Sequence, residues 1–162
     1  MLMPLSAAAQ LAPPTQAASG SESEPARSAK ERGDLALDTA RPADALAAYD
    51  EAYKLDPQPS LLYNRGRALQ ALERYPEALV LFEQFQRDAP AATLAKVPGL
   101  TELISEVRGK TCVVRVHGEP AGAEVRLRGV VVGRIPVSGA LRVNAGKAEL
   151  EVSMDGYTSH RA

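Results

Sequence analysis

Apolar positions change rhythm twice along the chain, and each rhythm predicts a different backbone. Across residues 26–90, Ala, Leu and Tyr recur three and four residues apart with few β-branched neighbours, which is the pattern of amphipathic helices. Leu94, Val97, Leu100, Leu103, Ile104 and Val107 keep that spacing, but Pro98 and Gly99 interrupt it, so the spacing predicts a helix over residues 100–108. After Lys110 the period falls to two. Cys112, Val114 and Val116 alternate with Val113, Arg115 and His117, and Val125 and Leu127 lie between Glu124, Arg126 and Arg128. Leu141 and Val143 then lead through Asn144-Ala145-Gly146 to Ala148, Leu150, Val152 and Met154, which predicts a hairpin closed by a three-residue loop. Pro120 as second residue and Gly122 as last predict a turn over residues 119–122. The fold class expected is α+β, with helical hairpins first and a small all-β domain second.

The helical stretch contains a repeat. Gly33 and Gly66, Ala45 and Ala78, Tyr49 and Phe82, and Pro57 and Pro90 are four similar pairs, each 33 positions apart. Small residues at a fixed period allow paired helices to approach closely, and a period near 34 is that of a helix-turn-helix solenoid. Gly66 and Ala78 then mark a close crossing, with Leu62, Leu69, Leu72, Leu79, Phe82 and Phe85 filling the space around it.

Residues 61–85, L-L-Y-N-R-G-R-A-L-Q-A-L-E-R-Y-P-E-A-L-V-L-F-E-Q-F, resemble the tetratricopeptide repeat. The first copy departs from the pattern, with Ala29 and Arg32 at usually bulky apolar positions and Pro42 where the second copy has Tyr75. Weak packing there predicts a frayed first unit. Two repeats over residues 26–90 are then followed by a capping helix and linker over residues 91–110.

The β-forming stretch resembles the PEGA domain, a small β-sandwich module named for a Pro-Glu-Gly-Ala signature. That signature reads here Pro120-Ala121-Gly122-Ala123, with the glutamate replaced, and Val125, Gly129, Gly133, Pro136, residues 141–146 and Gly156-Tyr157 match in order. Such modules usually continue past the Gly-Tyr pair into further strands, so the domain over residues 111–162 is expected to be truncated or completed by another chain.

Composition narrows the function. The 162 residues carry 19 Lys and Arg against 20 Asp and Glu, and this balance argues against a nucleic-acid or membrane-surface binder. No run reaches the roughly 20 apolar residues of a membrane-spanning helix. One cysteine, Cys112, and two histidines, His117 and His160, supply neither a disulfide nor the ligands of a structural zinc site. Cys112 reads as a small core residue, and its position five residues before His117 puts the two on opposite faces of a strand, so they form no nucleophile and base pair. His117 and His160 read as surface residues. No phosphate-binding glycine motif opens a helix. The expectation is therefore a non-enzymatic protein with no catalytic residue, cofactor or metal.

Residues 1–9, MLMPLSAAA, are apolar and end in small residues, like the end of a secretory signal, although they lack a basic leader. Residues 10–25, built from Ala, Pro, Gln, Ser, Gly and Glu, read as a flexible tether. Residues 1–25 are thus expected to be a signal-like remnant and disordered linker.

In tetratricopeptide proteins the first helix of each repeat lines a concave groove. The matching residues here are Lys30, Asp34 and Leu37 in the first copy and Tyr63, Asn64, Arg67 and Gln70 in the second. The resemblance implies an adaptor of the bacterial cell envelope, its groove holding a peptide or protein partner and its β-domain an envelope component. It implies residence in the periplasm or envelope, with the cytoplasm as the alternative. A second expectation is a sensory or regulatory fragment of a larger receptor or kinase, in which both modules occur as appendages.

Overall fold

A computed structural model describes residues 23–162; the signal-like stretch and most of the expected linker lie outside it. Six helices precede six short strands, an α+β arrangement. Helices α1 (Glu24–Asp38) and α2 (Pro42–Leu55) form one antiparallel hairpin, and α3 (Pro59–Ala71) and α4 (Tyr75–Asp88) the next. Each of these four helices has proline in its first turn, where the missing N–H leaves no helical acceptor unpaired.

The 33-residue period is a packing rule. A Cβ added to Gly33 would stand 2.5 Å from the Tyr49 ring, and one added to Gly66 would stand 2.6 Å from the Phe82 ring. Each glycine therefore admits the aromatic ring of the helix that packs on it, and both rings are fully buried. The period extends into the turns. Ala40 and Glu73, also 33 apart, both adopt the left-handed conformation, with φ of 54° and 57°. The next N–H in each turn reaches back to a helix carbonyl, Arg41 to Ala36 at 2.8 Å and Arg74 to Leu69 at 2.9 Å, closing the same helix-ending motif twice.

The first hairpin is not frayed: α1 is continuous over 15 residues. Ala29, Gly33 and Ala36 leave room for Tyr49, so one ring supplies the bulk that the small residues lack. Arg32 points outward to Glu51 at 2.8 Å. Leu72, expected in the core, is only half-buried where α3 ends.

Past a single turn of helix, α5 (Ala91–Leu94), Gly99 at φ 78° starts α6 (Leu100–Gly109) close to the expected bounds. Leu100, Ile104 and Val107 join the core of Leu79, Phe82 and Phe85, so α6 meets α4 as Leu61 and Ala68 of α3 meet α2. It has the place of the first helix of a third unit.

Only Lys110 separates α6 from β1 (Thr111–Val114). The remaining strands are β2 (Glu124–Leu127), β3 (Val130–Arg134), β4 (Leu141–Asn144), β5 (Leu150–Ser153) and β6 (His160–Arg161). They form a two-stranded sheet, β1-β4, and a four-stranded sheet, β3-β2-β5-β6, all antiparallel. Val116, Ala123, Val125 and Ile135 fill the space between them, flanked by half-buried Val114 and Leu141 from one sheet and Val132, Leu150 and Val152 from the other.

Three expectations fail in this region. The stretch from Leu141 to Met154 is not a hairpin, because β4 pairs with β1 and β5 pairs with β2 and β6. Its Asn144-Ala145-Gly146 segment is an arch from one sheet to the other, with Gly146 at φ 110°. The tight hairpin is β2-β3, closed by Arg128 and Gly129, both at positive φ as a type I′ turn requires. Cys112 is exposed, since β1 pairs only with β4 and its first residues project past the other sheet's cover. The turn near Gly122 starts one residue late, with the Ala123 N–H on the Pro120 carbonyl at 3.3 Å and Gly122 at φ 89°.

Candidate functional site: the inner face of the helical hairpins

Helices α1 and α3 present their solvent-facing sides to a shared concavity. It consists of two adjoining open clefts of about 470 and 410 Å³ that have Leu37 and Arg67 in common. Asp34, Leu37, Tyr63, Asn64 and Arg67 line the first, and Leu37, Arg67 and Gln70 line the second, so six of the seven residues expected from the sequence come together. Tyr63, Asn64, Arg67 and Gln70 do so because spacings of three and four put them on one stripe of α3.

Lys30 is the exception. Its Nζ pairs with Asp34 Oδ2 at 2.7 Å and does not line either cleft. Asp34 Oδ1 accepts a hydrogen bond from the Tyr49 hydroxyl at 2.8 Å, so Lys30, Asp34 and Tyr49 form a chain that ties the α1 face to the core of the first hairpin. Burial first, and then the hydrogen bond and charge of Asp34, push the Tyr49 phenol above its ordinary value.

Tyr63 is held from below. Its ring lies 5.7 Å from Phe82 and 5.5 Å from Phe85, both tilted contacts, so α4 fixes the platform that α3 presents. The Tyr63 hydroxyl accepts a hydrogen bond from Arg67 Nη1 at 3.1 Å. Arg67 has no carboxylate partner among the described residues, and Asn64 and Gln70 make no side-chain hydrogen bond among them. Two amides and one guanidinium therefore stand ready beside an aromatic surface.

The site is longer than the stretch predicted from helical register. Asp38 and the edge of Tyr49 extend it at one end, and Ala71, Tyr75 and Lys110 at the other. Lys110 Nζ sits 5.0 Å from the Tyr75 ring centre and 3.2 Å from Glu106, and hydrogen bonds first to Glu106 raise its pKa. Reading residues 100–108 as the first helix of a third unit, rather than a cap, would have pointed to Lys110 at its end. The floor thus runs from carboxylates on α1 to cations on α3 and after α6.

The groove meets the β-domain at its basic end. The Lys110 carbonyl accepts the Ala145 N–H at 2.9 Å, and Asn144 Nδ2 donates to the Glu73 carbonyl at 2.6 Å, in the left-handed turn between α3 and α4. A larger cleft of about 640 Å³ lies on the outer face of the four-stranded sheet, but its Arg126 and Arg134 both face Glu124, at 2.7 and 3.5 Å.

Residues 111–162 match the PEGA domain, which covers all six strands. That match points to a periplasmic or envelope-associated module of the protein-binding kind. No curated protein matches the chain. Among the described residues no helix is long and apolar enough to cross a membrane.

Proposed function

We propose that the protein is a non-enzymatic adaptor of the bacterial cell envelope, in which a tetratricopeptide-like pair of hairpins docks an extended segment of a partner protein. In this reading the PEGA-like domain attaches the groove to an envelope component. The observation that carries the proposal is the α3 stripe: Tyr63 braced by Phe82 and Phe85, with Asn64, Arg67 and Gln70 beside it and, among the described residues, no partner for their polar ends except the Tyr63 hydroxyl. Amides bind the backbone of an extended peptide, the aromatic ring takes an apolar side chain, and the cations at one end favour an acidic residue there.

The test uses peptides selected from a random library on the intact chain. Replacing Arg67 and Lys110 with Glu reverses the basic end without touching the core. Their affinity for the selected peptides is expected to fall at least about tenfold, or 1.4 kcal/mol, while far-ultraviolet circular dichroism stays the same. Unchanged affinity would place the docking surface elsewhere.

A further inference from the structure

The cleft of about 640 Å³ on the outer face of the four-stranded sheet is built from a floor and a wall. The floor comes from the strands. Glu124 of β2 and Ser153 of β5 are register partners, and alternation turns both away from the core that Val125 and Val152 enter. Arg126 lies two residues along β2 on the same face, and Arg134 of β3 is the register partner of Glu124 on its other side. The wall is the loop over residues 154–159 between β5 and β6. It is tied at its ends by the β5-β6 ladder, and within by the Tyr157 N–H on the Met154 carbonyl at 3.0 Å, with Gly156 at φ 82°. That turn sets Tyr157, 62% exposed, beside Glu124 and Ser153 on the side of the sheet away from the core.

The charges in the cleft balance. Glu124, its side chain 23% exposed, meets Arg126 at 2.7 Å and Arg134 at 3.5 Å, and Arg134 Nη1 also donates to the Gly122 carbonyl at 3.0 Å. With Asp155, the lining holds two cations and two carboxylates. An anionic ligand would meet zero net charge, and an apolar one would strip water from two guanidinium groups and replace none of their hydrogen bonds. Directional hydrogen bonding remains. Among the described residues, Arg126 Nε and Nη1, Arg134 Nε and the hydroxyls of Ser153, Tyr157 and Ser159 make no hydrogen bond.

We infer that this cleft binds a neutral sugar chain, with a ring face against Tyr157 and hydroxyls on Arg126, Arg134 and Glu124. Sugar hydroxyls both donate and accept, which suits guanidinium and carboxylate groups already held side by side, and the C–H face of a pyranose suits an exposed aromatic ring. The inference rests on the reading of the β-domain as the half that meets the envelope, and names the class of its ligand.

Isothermal titration of the full chain with chitotetraose, cellotetraose and maltotetraose tests this, with tetragalacturonic acid as the anionic control. At least one neutral tetrasaccharide is expected to bind with a Kd of about 0.1–1 mM, unchanged between about 50 and 500 mM salt because no charge pair forms. Tyr157→Ala and Arg126→Lys are each expected to weaken it about tenfold with circular dichroism unchanged, the second because it keeps the charge and loses the planar fork. No neutral binding at about 10 mM sugar, binding of the uronic acid alone, or neutral binding indifferent to either substitution would each overturn the inference. Should Arg126→Lys fail to fold, Tyr157→Ala in the exposed loop supplies the same readout. Retention of the chain on isolated cell envelopes is measured alongside. Retention without sugar binding overturns the ligand class and leaves the envelope reading standing, whereas sugar binding without retention supports the site and counts against that reading.

Discussion

The two halves of the molecule bury their apolar residues to different degrees. In the helical half, Tyr49, Phe82, Phe85, Leu61, Leu79 and Val107 are all but inaccessible to water, whereas in the β half only Val125 among the larger side chains is. Most residues facing the sandwich core, such as Val132, Leu141, Leu150 and Val152, are half-covered. The helices are held by rings seated on glycines. The strands have a thin core and lean on the helices through the one-residue link at Lys110 and the Asn144 contact with Glu73. A groove needs a rigid wall, and the rigid half is the one that carries it.

The largest effect should come from removing a seated ring. Phe82→Ala deletes the partner of Gly66 and one support of Tyr63, and is expected to cost about 3–5 kcal/mol in urea denaturation followed at 222 nm. Gly66→Ala sharpens the same point from the other side. Alanine favours helix by about 1 kcal/mol over glycine, yet its Cβ would meet the Phe82 ring at 2.6 Å, and overpacking of about 1–3 kcal/mol leaves a net loss of up to about 2 kcal/mol. Asn144→Ala breaks the link between the halves. It should lower the melting of the β-domain by about 1 kcal/mol, leaving the helical transition in place, and two transitions should separate in calorimetry. A single unshifted transition would mean the halves do not support each other through this contact.

The smallest effect is expected from pH. Because the folded state raises the Tyr49 phenol, it holds that proton more tightly than the unfolded chain does. The stabilising contribution is complete below the ordinary tyrosine value of about 10 and declines as pH rises above it. Thermal melting between pH 8 and 11 should show helical stability falling at the upper end, with a shallower fall in Tyr49→Phe.

What was legible in the sequence follows from how each contact is encoded. The 33-residue offset marks Gly33, Gly66, Tyr49 and Phe82 as repeated positions and predicts a close crossing at Gly66, but that each glycine faces the ring of its own unit is seen only in the fold; the stripe from Tyr63 to Gln70 follows from helical spacing. The left-handed turns at Ala40 and Glu73 were hidden because neither position is glycine. Alternation in β4 and β5 marks strands but carries no information about which sheet each joins, so an arch has the same sequence pattern as a hairpin, and the alternation at Cys112 does not show that the core ends before it reaches that residue. Lys30 has the right register for the groove, but a carboxylate one helical turn away holds it.

The seat of each aromatic ring on its glycine is tested most directly by a double-mutant cycle on Gly66 and Phe82. If the ring occupies the space that glycine leaves open, Gly66→Ala should be destabilising in the native background and neutral or stabilising once Phe82→Leu has removed the ring, a coupling of about 1 kcal/mol or more. Equal cost of Gly66→Ala in both backgrounds would contradict it.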